Sequence, residues 1–273
     1  MVTALGSGAA QRNPDFIQRP RNGGNNIDWL KANAETLGDG VVVGLIGGWS
    51  QTHLPLRMAQ SRLRHDRTPS NWSHVVLFQR LGDEIRTSQD LDSEAIYEIS
   101  LDPPGGFGFA PLENGVQTPL FKRYRSAQEF PNIAVFSMAV EKEGENAPPA
   151  RVAYAVGRFR GKQGAVDATP LILRWLGYVW QLGENPLLEG HGMPSAALVE
   201  ELAMELGFDL TPGLESRAGC PEAIWQAARW WHEYYKEVNR HPLRGAWYTP
   251  HKPLYDPTSG TRRRRRAGRK RTS

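Results

Sequence analysis

The apolar positions of this 273-residue chain fall into two regimes. In the first half they come as short β-branched runs separated by glycines and polar clusters. Residues 41–48, VVVGLIGG, form an unbroken apolar run closed by glycines, the pattern of a buried strand. Residues 73–81 (SHVVLFQRL), the segment DEIRTS and residues 95–100 (AIYEIS) follow as three strand-like runs and predict an antiparallel meander. Residues 131–140, PNIAVFSMAV, predict a further strand. After EKEGENAPP the spacing becomes helical, with helices predicted over 150–160, 169–181, 194–205 and 221–238. In the third of these, Leu198, Val199, Leu202 and Leu206 follow Ser195 at +3, +4, +7 and +11, so Ser195 lies in line with the buried stripe. Glu200, Glu201 and Glu205 are expected on the wet side. Earlier in the chain, residues 26–37 predict a helix with Asn26 as cap and Gly38 as stop, and the basic residues 54–65 a short helix or an excursion.

A sheet-forming half that precedes a helix-forming half predicts an α+β fold, and no internal repeat is visible. Residues 1–26 are rich in Gly, Asn and Arg and lack apolar periodicity, so they read as a flexible arm before a domain over 27–240. Residues 102–115 read as a loop. The Pro-rich residues 241–260 are expected to pack on the body as an extended segment through Trp247, Tyr248 and Tyr255. Residues 261–273 cannot bury anything and are expected to be disordered.

Composition adds exclusions. With 40% apolar and 23% charged residues the chain has the make-up of an ordinary globular domain. No stretch of about 18 apolar residues occurs, so an integral membrane protein is not expected. The start of the chain lacks a basic segment followed by an apolar one, so no secretory signal is expected. Cys220 is the only cysteine, which excludes an internal disulfide and suits a reducing, cytoplasmic setting. No HExxH spacing, carboxylate cluster or phosphate-binding glycine motif occurs, so neither metal nor cofactor is expected. The net charge of +4 comes from the end of the chain. Arg262, Arg263, Arg264, Arg265, Arg266, Arg269, Lys270 and Arg271 have no acid among them, and without these eight cations residues 1–260 carry −4. That segment reads either as an attachment to nucleic acid, an anionic surface or a partner, or as a solubilising tail.

Chemistry has few candidates. His74 opens a strand, after Trp72 and Ser73. A histidine held there can serve as general base for a nucleophile at a helix N-terminus, or it is a satisfied core residue. His53 and His65 flank a basic segment, His241 and His251 lie in Pro-rich loops, and His232 belongs to an aromatic helix. Glu98 lies on a neighbouring run and either orients His74 or points to solvent. Trp72, Tyr97 and the glycines around Phe107 line a cleft or pack in the core. Ser195 reads as a helix cap, a nucleophile or the relic of one. Cys220, in GCPEAIW, is either a thiol activated by a helix N-terminus or a small buried residue.

These segments together resemble the circularly permuted NlpC-like branch of the papain-fold hydrolases, which is related to the lecithin:retinol acyltransferase group. The resemblance is carried by four short blocks in the family's order, over roughly residues 37–225. LGDGVVVGLIGG is similar to the family's Gly-Asp entry to an apolar strand, and SHVVLF to its Ser-His strand. YEIS and GVQTPLFKRY match a strand ending in Glu followed by Gly-Val, Pro-Leu and an aromatic residue. SAALVEELAMELGFDLTPG fits the family's nucleophile helix and its Gly-x-Asp-Leu-Thr-Pro continuation. The resemblance implies a papain-like domain with an antiparallel sheet against helices, acting on amide or ester bonds in peptides, cell-wall fragments or lipids. It also implies His74 as base and the Ser195 position as nucleophile. The chain departs from the family at that position, which holds serine in place of cysteine. A thiol near pKa 8.5 ionises readily beside an imidazole, and a serine hydroxyl does not. The leading expectation is therefore a catalytically degenerate module that binds a protein, peptide or lipid-like ligand. The alternatives are a serine-type hydrolase or acyltransferase using Ser195 and His74, and a scaffold attached to nucleic acid through its arginine-rich end.

Overall fold

The computed structural model describes residues 16–102, 111–139, 148–215, 218–237 and 243–250. Strands β1 (Phe16–Gln18), β2 (Val41–Gly47), β3 (His74–Leu81), β4 (Ile96–Tyr97), β5 (Asn132–Met138) and β6 (Leu243–Tyr248) form one sheet in the order β1-β6-β5-β2-β3-β4. Every pairing is antiparallel except β1 with β6. Seven α-helices accompany it among the described residues: α1 (Asn26–Asn33), α2 (His53–Ala59), α3 (Gly82–Thr87), α4 (Pro148–Arg160), α5 (Ala168–Val179), α6 (Pro194–Glu205) and α7 (Pro221–Glu237). The fold is α+β, and no described helix is long and apolar enough to cross a membrane.

The unbroken apolar runs have a physical reason: the sheet is buried on both faces. Along β2, Val41, Val43 and Leu45 join one core, while Val42 and Ile46 join the other. Val75 and Leu77 alternate in the same way with Val76 and Phe78 along β3. The first core lies under α4, α5, α6 and α7. The second lies under α1 and the short 3-10 turn Phe121–Tyr124, with Ile27, Trp29, Leu30, Phe121 and Tyr124.

Several segments differ from the sequence expectation. Within the expected arm of residues 1–26, Phe16–Gln18 forms the edge strand β1, and residues 1–15 lie outside the described residues. The cap of α1 is Asn25, whose side chain accepts from the Ile27 and Asp28 amides while Asp28 reaches back to the Asn25 amide. Asn26 is fully buried instead, and its Nδ2 donates to the carbonyls of Tyr124 at 2.7 Å and Phe130 at 3.0 Å. DEIRTS is helical, not extended. Glu84 accepts the Leu81 amide at 2.8 Å and starts α3, which buries Ile85. Residues 243–248 do not lie on the body as an extended tail but enter the sheet between β1 and β5. Trp247 there meets Trp225 of α7 at 5.3 Å. Tyr255 lies outside the described residues.

The largest correction concerns α6. Leu198, Val199 and Leu202 are buried as expected, but Glu200 and Glu201 are buried too. This helix is covered on its polar side as well. Glu201 accepts the Ala165 amide at 2.9 Å, and the Glu200 carboxyl lies against Gly219. Burial, opposed by a hydrogen bond from Thr211 and reinforced by Asp209, pushes the Glu200 carboxyl up to about 8. The α6 entry is tight as well: a Cβ on Gly192 would lie 2.4 Å from the Gly219 carbonyl oxygen.

Asn26→Ala would leave two buried carbonyls without their donor. It is expected to lower stability by about 2–3 kcal/mol, read as a fall in the urea midpoint at unchanged m-value.

Candidate functional site

The site grows from the β3–β4 register. Leu77 faces Tyr97 and Phe78 faces Ile96, so strand alternation puts Glu98 on the same face as His74, Val76 and Phe78. Reciprocal backbone hydrogen bonds with Gln117 clamp Glu98 in place. Its carboxylate has no exposure and meets three donors. His74 Nε2 lies 3.0 Å from Oε2, the Tyr124 hydroxyl donates to the same oxygen at 2.6 Å, and Arg123 bonds Oε1. Burial works to raise this pKa. The hydrogen bond and charge of His74, then Arg123 and Tyr124, outweigh it and hold the carboxyl below the usual range. An ionised carboxylate only accepts, so His74 donates from Nε2 and its Nδ1 is the other ring nitrogen. The same surroundings push the Tyr124 hydroxyl well above its usual value, burial first and the Glu98 charge second.

Ser195 stands at the start of α6 but does not cap it. Met193 is the N-cap and Pro194 the first helical residue, which puts Ser195 at the second helical position. The first intrahelical bond is Ala197 N–H to the Met193 carbonyl at 3.0 Å, so the Ser195 and Ala196 amides precede the ladder. Among the described residues the Ser195 hydroxyl makes no hydrogen bond, to His74 or to any other group.

Both residues border one narrow cavity of about 10 Å³, room for a single water. Thr52, His53, Ser73, Ser100 and Asp102 supply its other polar walls, with Leu56, Ile99 and Met193 among the apolar ones. They reach it from different sides. His74 lies on the face of Val76 and Phe78 and packs on Tyr124 at 5.8 Å. Helix α6 packs on the opposite face, with Val75 and Leu77.

His53 is the residue the sequence reading passed over. It begins α2, is buried, and lies with Nδ1 2.7 Å from Ser73 Oγ and its ring 6.4 Å from that of His74. Burial, then neighbouring His74, Arg123 and Arg57, push its pKa down to about 3. The only sequence signal was Ser73, its partner, standing directly before His74.

The other candidates separate from this cavity. Trp72 is fully buried against Trp225, with ring centroids 5.0 Å apart, and Tyr97 packs against the core under α6. Neither borders the cavity. Cys220 is fully buried, and burial above all pushes its thiol up to about 12, against activation by the α7 N-terminus. Phe107 and its glycines, and the cations from Arg262 to Arg271, lie outside the described residues. Among the described residues no group of three or more His, Cys, Asp or Glu side chains is placed to hold a metal ion. Comparison with protein-family models, with curated proteins and with solved structures finds no match.

Two outcomes follow from these environments. A carboxyl whose pKa falls on folding adds stability above its unfolded value near 4.3 and loses it as pH drops through the folded value. Wild-type stability should therefore fall steeply below about pH 4.3, and Glu98→Gln should flatten that acid limb while costing about 3 kcal/mol at neutral pH. Denaturant titrations across pH 3–7 test both. Native Cys220 should react with iodoacetamide about a thousandfold more slowly than in the unfolded chain, since three pKa units remove that much thiolate.

Proposed function

We propose that this chain is a catalytically degenerate papain-type domain of the permuted NlpC-like kind, kept as a ligand-binding module. The ordered blocks support the ancestry: an apolar strand β2, the His74 strand β3, the Glu98 segment, and a helix beginning at Ser195. The observation that carries the degeneracy is that no hydrogen bond joins base and nucleophile, although both border the same narrow cavity. His74 is engaged with Glu98 on the face away from α6, and the Ser195 hydroxyl makes no bond to it. The remaining room is that of one water, which suits the tip of a bound ligand better than a tetrahedral intermediate.

A serine-type hydrolase is the second reading, favoured by two amides at the α6 N-terminus with no intrahelical acceptor, the kind of donor an oxyanion hole uses. A fluorophosphonate probe separates the two. The degenerate module is expected to show no mass increase on the full chain after prolonged incubation. A single adduct on Ser195, absent from His74→Ala, would establish the hydrolase and overturn the first reading.

A further inference from the structure

The contacts of His53 with Ser73 bear on which of its nitrogens carries the proton. Ser73 Oγ has one proton and two lone-pair directions, and three groups surround it. The Gly48 amide donates to it at 3.1 Å, the Ile46 carbonyl lies 3.1 Å away, and His53 Nδ1 lies at 2.7 Å. The Ile46 carbonyl also accepts the Ser73 amide at 2.8 Å, and one assignment makes hydrogen bonds of all three Oγ contacts. The hydroxyl donates to Ile46, and its two lone pairs receive the Gly48 amide and a proton on His53 Nδ1. His53 is then the Nδ1–H tautomer, and Nε2 carries a lone pair. Gly48 closes the Cδ2 edge of the ring, since a Cβ built there would fall 2.9 Å from that carbon. Phe130 meets the ring edge-on at 5.4 Å. Nε2 has no hydrogen-bond partner among the described residues.

We infer that His53 presents Nε2 to the cavity as a bare hydrogen-bond acceptor, and that the ligand of this domain enters with an N–H or O–H that replaces one water there. This rests on the binding reading above and gives its ligand a chemical class: an amide or hydroxyl-bearing chain, such as a peptide, rather than a plain hydrocarbon acyl chain. A buried acceptor discriminates strongly, because a ligand lacking the donor expels the water and leaves Nε2 unpaired. The size of the cavity restricts what enters to about one heavy atom beyond the mouth. Since protonation is driven down to about pH 3, the acceptor does not turn into a donor near neutrality.

The test uses the full chain with 15N-labelled histidine, and two probes that differ by one group. N-acetylglycine methyl ester carries an N–H where methyl 4-oxopentanoate carries a methylene. The imidazole nitrogen spectrum at pH 7 is expected to show His53 protonated at Nδ1 and bare at Nε2. The signal is identified by its loss in His53→Phe or, should that variant not fold, in His53→Gln. Ser73→Ala is expected to release the tautomer preference. N-acetylglycine methyl ester should shift the Nε2 signal saturably, and methyl 4-oxopentanoate should bind at least about tenfold more weakly, the difference one lost hydrogen bond makes. A proton on Nε2 in the free protein overturns the inference, and so does an equal response, or no response, to the two esters. Methanol release with acylation of Ser195 would instead sink the degenerate reading and leave the His53 assignment standing.

Discussion

A carboxylate withdrawn entirely from water must be met by donors on every side, and Glu98 organises this end of the molecule through that requirement. Its donors come from two places in the chain, His74 on β3 and the pair Arg123 and Tyr124 on the turn that follows residue 120. That turn is held in turn by Asn26, which anchors the Tyr124 and Phe130 carbonyls to the start of α1. One buried charge therefore ties a central strand, a short edge strand, a 3-10 turn and the first helix into a single arrangement. Desolvation offsets much of the Coulombic gain of such a network, so its main effect is to specify geometry. Any alternative packing of the turn would strand a charge.

The sheet acts as a partition in this fold. Because both faces are buried, neighbouring residues on β3 belong to different cores, and His74 and Val75 look in opposite directions. The ends of the strands are the only places where groups from the two layers meet. The narrow cavity lies at such an end, with α2 closing it through His53 and Leu56 and α6 arriving with Ser195. Seven polar side chains there border a space of water size.

Much of the architecture was legible from pattern. The apolar runs of β2, β3 and β5 and the stripes of α4 to α7 are long enough for tertiary context to reinforce them. What was not legible depends on partners distant in sequence. Phe16–Gln18 is a strand because β6 lies beside it, and three residues carry no period of their own. DEIRTS alternates like a strand, but its acids cap a helix turn better than they pair in a sheet. Glu200 and Glu201 read as solvent-facing because periodicity knows one buried side, whereas α6 is covered on both. At the site, the spacing of His74 and Glu98 on adjacent runs was visible. The side of the sheet they occupy depends on register, which spacing does not reveal. His53 was hidden for a simpler reason: its partner, Ser73, lies in another element.

The pairing of β1 with β6 has a consequence for how the molecule comes into being. These strands lie at opposite ends of the described chain, and β1 hydrogen-bonds to no other strand. During synthesis β1 emerges early and finds an empty place in the ladder, while β5 waits with one edge uncovered. The central antiparallel strands can assemble as soon as β5 is made. The sheet is completed only when the last strand slides between two that have been waiting for it, so the order of manufacture and the order of neighbours run against each other.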